Sequence, residues 1–64
     1  MKKYEYLVAY IHQNGYGRVF ITRNAPIGSS DDIVSIETVI AESNDATSVG
    51  ISNFQLLRTY EDEN

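Results

Sequence analysis

The sequence predicts an α+β fold: a three-stranded antiparallel sheet of order 2-1-3 with one helix packed on one face, connected β-β-α-β. Three observations carry it. Residues 3–11, KYEYLVAYI, are aromatic, aliphatic and β-branched with no Gly, Pro or Asn, and read as the central strand. Asn14-Gly15 follows them, a strong hairpin signal because both residues tolerate positive φ. Ile33, Ile36 and Ile40 then recur at helical spacing behind a Ser-Ser-Asp-Asp start.

Length and composition set limits on the domain. The 64 residues form a single domain, and a chain this short buries only roughly 60% of its unfolded surface. There is no cysteine to make a disulfide and no ligand cluster for a metal, so a partner that shares surface is one way to complete the core. The Met1-Lys2-Lys3 start runs straight into Tyr4, Glu5 and Tyr6, without the apolar stretch of a signal peptide. No apolar run is long enough to span a bilayer. A cytoplasmic protein with no membrane association is expected. Five basic against nine acidic residues give a net charge of -4, which works against a binder of phosphate backbones.

In chain order, strand one (3–11) alternates two faces. Leu7, Ala9 and Ile11 are assigned to the helix side, because the small Ala9 would let a helix sit close. Tyr4, Tyr6, Val8 and Tyr10 are assigned to the far side. Residues 12–17 form the turn, with Gly17 expected to add a bulge or let Tyr16 swing over the sheet edge. Strand two (18–22) places Val19 and Ile21 on one face, and Arg18, Phe20 and Thr22 on the other. Residues 23–29 connect to the helix, with Pro26 forcing an extended Ala25 and Ile27 read as a staple against Ile33.

The helix is expected over 30–43, with Ser29 as its cap. Asp31 and Asp32 sit in the first turn, where the helix dipole favours them. They are read as capping residues and not as a catalytic or metal pair. Ile33, Ile36, Ile40 and Val39 form the buried stripe, and Glu37 and Glu42 lie toward solvent. The β-branched residues are poor helix formers, so the helix depends on packing. Asn44 is expected to end it in a left-handed conformation. Strand three covers 49–58, with Phe54 and Leu56 on one face and Ile51, Asn53, Gln55 and Leu57 on the other. Gly50 is read as a bulge or an edge marker. Residues 61–64 form a solvated acidic tail.

The hairpin, followed by a right-handed crossover, puts strand one in the middle. One helix covers one face, so the far face displays Tyr4, Tyr6, Val8, Tyr10, Tyr16 and Phe20, with Leu57 nearby. A contiguous aromatic patch on a small chain points to a protein interface, either with another protein or in a homodimer. The competing reading is that these tyrosines are simply good strand formers that pack across strands and leave their hydroxyls wet.

An enzyme is not expected. No nucleophile elbow, HExxH, EF-hand or phosphate-cradling Gly-rich loop occurs, and His12 reads as a solvated residue beside the turn. No catalytic, cofactor or metal residues and no small-molecule substrate are therefore assigned. Single-stranded nucleic-acid binding over the same face, with Tyr4, Tyr6, Phe20, Arg18 and Arg58, is the alternative. It is disfavoured because such platforms sit in a positive groove. Protein binding leads, over the face or by strand addition at an edge defended by Arg18, Thr22 and Arg58.

The YLVAYIHQNGYGRVFIT hairpin and the closing ISNFQLL strand belong to an acidic, cysteine-free chain of about sixty residues. In this the chain resembles the short accessory proteins encoded by bacteriophages and prophages. The resemblance is to style over the whole chain and assigns no residue a role. It implies a protein that acts by binding a host protein in the host cytoplasm.

Overall fold

The computed structural model describes residues 1–46 and 48–63. Its elements are β1 (Lys2–His12), β2 (Gly15–Arg23), α1 (Ser30–Ser43) and β3 (Val49–Glu61). β1 pairs antiparallel with both neighbours in a sheet of order β2-β1-β3, and the helix packs on one face. The expected architecture is the one found. The strands run longer than expected, and Glu61 and Asp62 do not belong to a free tail. Glu61 lies in β3, and the Asp62 N–H donates to the Met1 carbonyl at 2.9 Å. Asn64, the last of the expected tail, lies outside the described residues.

The hairpin loop is Gln13-Asn14, flanked by the pair His12↔Gly15. Positive φ falls after the loop, at Gly15 (φ 144), instead of at Asn14. His12 is the last residue of β1 and is half-buried. Its Nδ1 accepts the Asn14 N–H at 3.3 Å, so it helps fix the turn instead of standing free in solvent. The β1–β2 register then runs unbroken to Tyr4↔Arg23, with no bulge at Gly17. Gly17 serves another purpose. It stands opposite Tyr10, and a Cβ there would meet the Tyr10 hydroxyl at 2.9 Å and Cζ at 3.0 Å. Its missing side chain makes room for the Tyr10 ring.

Ser29 caps the helix as expected, its Oγ accepting the Asp32 N–H at 3.3 Å. The return contact differs from a capping box. Asp32 Oδ2 accepts the N–H of Gly28 at 2.9 Å, and Oδ1 pairs with Arg23 Nη2 at 3.3 Å. These partners hold the Asp32 carboxyl below its ordinary value, the Gly28 bond most and Arg23 next. At the other end Asn44 is the C-cap but keeps φ -107. The left-handed residue is Asp45 (φ 54). Ala46 N–H donates to the Ala41 carbonyl (2.9 Å) and Asp45 N–H to that of Glu42 (3.5 Å), a Schellman ending one residue later than expected.

β3 carries an extra residue at two places, where its register with β1 shifts between Glu5 and Tyr6 and between Ala9 and Tyr10. Ser52 and Leu57 are the residues passed over. Each insertion reverses the alternation of the strand. Ile51, opposite Tyr10, therefore shares a face with Phe54 and Leu56, opposite Val8 and Tyr6, and not with Asn53 and Gln55. Glu37 does not simply face solvent: its Oε2 accepts the Ile51 N–H at 2.9 Å and ties the helix to the β3 edge.

The largest correction concerns the faces of β1. Tyr6, Val8 and Tyr10 are buried beneath the helix against Ile36 and Ile40, with Tyr4, Val19, Ile21, Ile27, Val49 and Ile51 packed around them. Leu7, Ala9 and Ile11 are on the opposite, open face. The opposed pairs Val8↔Val19 and Tyr6↔Ile21 give the tyrosine side an apolar layer that continues into β2 and β3. Arg18, Thr22, Asn53 and Gln55 would have had to be buried on the other side. The Tyr6 hydroxyl is satisfied in place, accepting the Ile27 N–H at 2.9 Å. Ile27 thus closes the core through its backbone as well as its side chain. Of the expected helix stripe, Ile36 and Ile40 are buried, Ile33 is half-buried and Val39 is exposed.

Candidate functional site: the open face of the sheet

The face away from the helix is built by the odd residues of β1 and the even residues of β2. Leu7 stands opposite Phe20, Ala9 opposite Arg18, and Ile11 opposite Tyr16. Phe20 is 66% exposed and Tyr16 86% exposed, and Ile11 is also largely in solvent. β-Propensity explains why these types form strands, but nothing among the described residues covers them. Phe20, Leu7, Ile11 and Tyr16 make an apolar strip along the β1–β2 ladder, with Arg18 between the two rings.

The β3 side of this face is polar. Asn53 and Gln55 lie opposite Ala9 and Leu7. Next along, Arg58 Nε donates to Glu5 Oε1 at 2.8 Å, and the Arg58 guanidinium lies 4.4 Å from the centroid of the Tyr60 ring. The Glu5 hydrogen bond raises the Arg58 guanidinium further above its already high ordinary value. Lys3 Nζ donates to Asn24 Oδ1 at 2.6 Å. The open face is therefore largely apolar along β1 and β2 and polar along β3. The helix acids Asp31, Asp32, Glu37 and Glu42 belong to the other layer.

The residues expected at an interface divide. Tyr6, Val8 and Tyr10 are core, and no partner can reach them without displacing the helix. Tyr4 is half-buried at the core margin, with Lys2 Nζ 5.7 Å from its ring centroid. Tyr16 and Phe20 are on the surface as expected, but beside Leu7 and Ile11 and not beside the other tyrosines. Leu57 is exposed at a β3 bulge. Sequence reasoning missed Leu7 and Ile11. The signal was the two-residue turn itself, because a loop of that length pairs odd residues of β1 with even residues of β2.

A second uncovered region lies on the helix side. The helix leans toward β3, and between it and β2 runs a groove of about 270 Å³ lined by Ile21, Ile36, Val39, Ile40 and Arg23. Among the described residues no group of three or more His, Cys, Asp or Glu is placed to hold a metal. Among the described residues no helix is long and apolar enough to cross a membrane. No protein-family model matches the chain, and no curated protein or solved structure is significantly similar to it.

Proposed function

We propose that this chain is a small, non-enzymatic protein-binding module that presents the open face of its sheet to a protein partner. One observation carries the reading: the uncovered strip of Leu7, Ile11, Tyr16 and Phe20, bordered by Arg18, Asn53 and Gln55. Aromatic side chains with an arginine between them, on a rigid sheet, are the residue types that dominate binding energy at interfaces. The aliphatic pair Leu7 and Ile11 favours a protein over a nucleic acid, since bases stack on rings and follow positive charge. Of the cations on this face, Arg58 is paired with Glu5 and Lys3 is bonded to Asn24. The resemblance to short phage-encoded accessory proteins supports a bacterial protein as the target.

The test is affinity capture from bacterial lysate with the wild-type chain and with an Ile11→Ser, Tyr16→Ser double variant, both shown folded by circular dichroism. A protein retained by the wild type and lost with the variant supports the reading. Identical captures by the two, or binding of oligothymidine at physiological salt by the wild type, overturn it.

A further inference from the structure

The two edges of the sheet are unlike. The β3 edge is broken by two register shifts, and the Ile51 N–H is taken by Glu37. Bulges and occupied backbone groups are how proteins blunt an edge against pairing. The β2 edge has neither device. Its register with β1 is unbroken from Gly15 to Arg23, it contains no proline, and its cations are Arg18 and Arg23, of which Arg23 is turned to Asp32. Beside it lies the open groove under the helix, with Val39 59% exposed on its rim. Arg23 Nη1, buried with no hydrogen-bond partner among the described residues, belongs to a residue lining the same groove.

The surface of the chain is also large for its mass. It exposes 4571 Å², against about 4,100 Å² for a compact monomer of 7.2 kDa. The excess of about 450 Å² approaches the roughly 600 Å² per partner at the lower end of specific interfaces.

We propose that two copies of this chain pair antiparallel through β2 about a two-fold axis at Val19. The product is a six-stranded sheet of order β3-β1-β2-β2-β1-β3 with both helices on one face. A second copy is the occupant that fits, for three reasons. The register that pairs every residue of β2 is centred on Val19, because the strand runs from Gly15 to Arg23. Opposed residues in an antiparallel pair share a face, so Val19 meets Val19 of the second copy on the helix side, extending the apolar layer. On the open side the same register sets Arg18 against Phe20 of the second copy, twice, a cation over an exposed ring instead of two like charges. The contact is isologous and closes, leaving only the two blunted β3 edges outside. It uses the strand edge, so it stands or falls separately from the open face, which it would double in width.

The chain has no cysteine, so single cysteines report the geometry cleanly. Directly opposed Cα atoms are about 4.5–5.5 Å apart, within disulfide reach. Thr22 and its copy would be about 20 Å apart at strand rise. Sedimentation equilibrium of the wild type should give twice 7.2 kDa. Mild oxidation should convert Val19→Cys to a covalent dimer and leave Thr22→Cys uncoupled. A wild-type monomer at all concentrations overturns the proposal, whatever the variants do. A wild-type dimer in which Val19→Cys fails to couple, or in which both variants couple alike, overturns it equally.

Discussion

On one side of β1, Tyr6, Val8 and Tyr10 lie under a helix; on the other, Leu7, Ala9 and Ile11 face solvent with Phe20 and Tyr16. Taken alone, the two sets are both apolar enough to form a core. Their neighbours separate them. The tyrosine side is continued by Val19 and Ile21 in β2 and by Ile51, Phe54 and Leu56 in β3. The leucine side is continued by Arg18, Thr22, Asn53 and Gln55. A sheet buries whole faces and not single strands, so the side whose extension across three strands stays apolar takes the helix. A small side chain such as Ala9 does not outweigh that.

Substitutions can break this contrast. The largest effect is expected at Tyr6. Tyr6→Ser removes a buried ring and the acceptor of the Ile27 N–H, for about 3–5 kcal/mol, enough to unfold a domain of this size. Ile11→Ser, on the open side, should stay within about 0.5 kcal/mol. Urea melts of the two variants measure the difference, and similar losses would erase the distinction between the faces.

A smaller effect is expected at Glu37, which fixes the helix over the β3 half of the core. Glu37→Ala should cost about 1.5–3 kcal/mol, the range for losing a bond between a charged side chain and a backbone N–H. The Ile51 amide should then exchange faster with deuterium. An unchanged Ile51 amide would mean that the helix is held over the core without it.

Asp45→Gly should act in the opposite direction and stabilise by about 0.5–1 kcal/mol. It relieves a left-handed aspartate and takes a negative charge away from the helix C-terminus. A higher melting temperature is the expected readout.

The weakest effect is pH dependence through Asp32, whose partners Gly28 and Arg23 hold its carboxyl below the ordinary 3.8. A lowered carboxyl contributes stability above its unfolded value, and that contribution is lost as pH falls through the folded value. Acid below about pH 4 should therefore loosen the helix start in the wild type, and less so in Asp32→Asn. The group is partly exposed, so solvent screening keeps the effect small.

Much of the fold could be read directly. The apolar stretch over residues 3–11, the turn at Asn14-Gly15, the Ser29 cap and the isoleucine spacing each write their element locally, and the crossover rule then orders the strands. The parity of the two-residue turn was legible too. Applied to β1 and β2, it puts Phe20 with Leu7 and Val19 with Val8, which would have corrected the faces and found the open strip. The bulges at Ser52 and Leu57 were not legible, because no glycine or proline marks either position. Nor was the bond from Glu37 to Ile51, which joins residues 14 apart in sequence through a geometry that exists only once the helix has docked.

By itself, then, the sequence determined the elements, their order and the Ser29 start of the helix, because capping, turn chemistry and periodicity act within a few residues. Which edge was blunted and which β3 side chains joined the core face were decided by tertiary structure. Those outcomes depend on register across strands, where one added residue reverses every side chain beyond it.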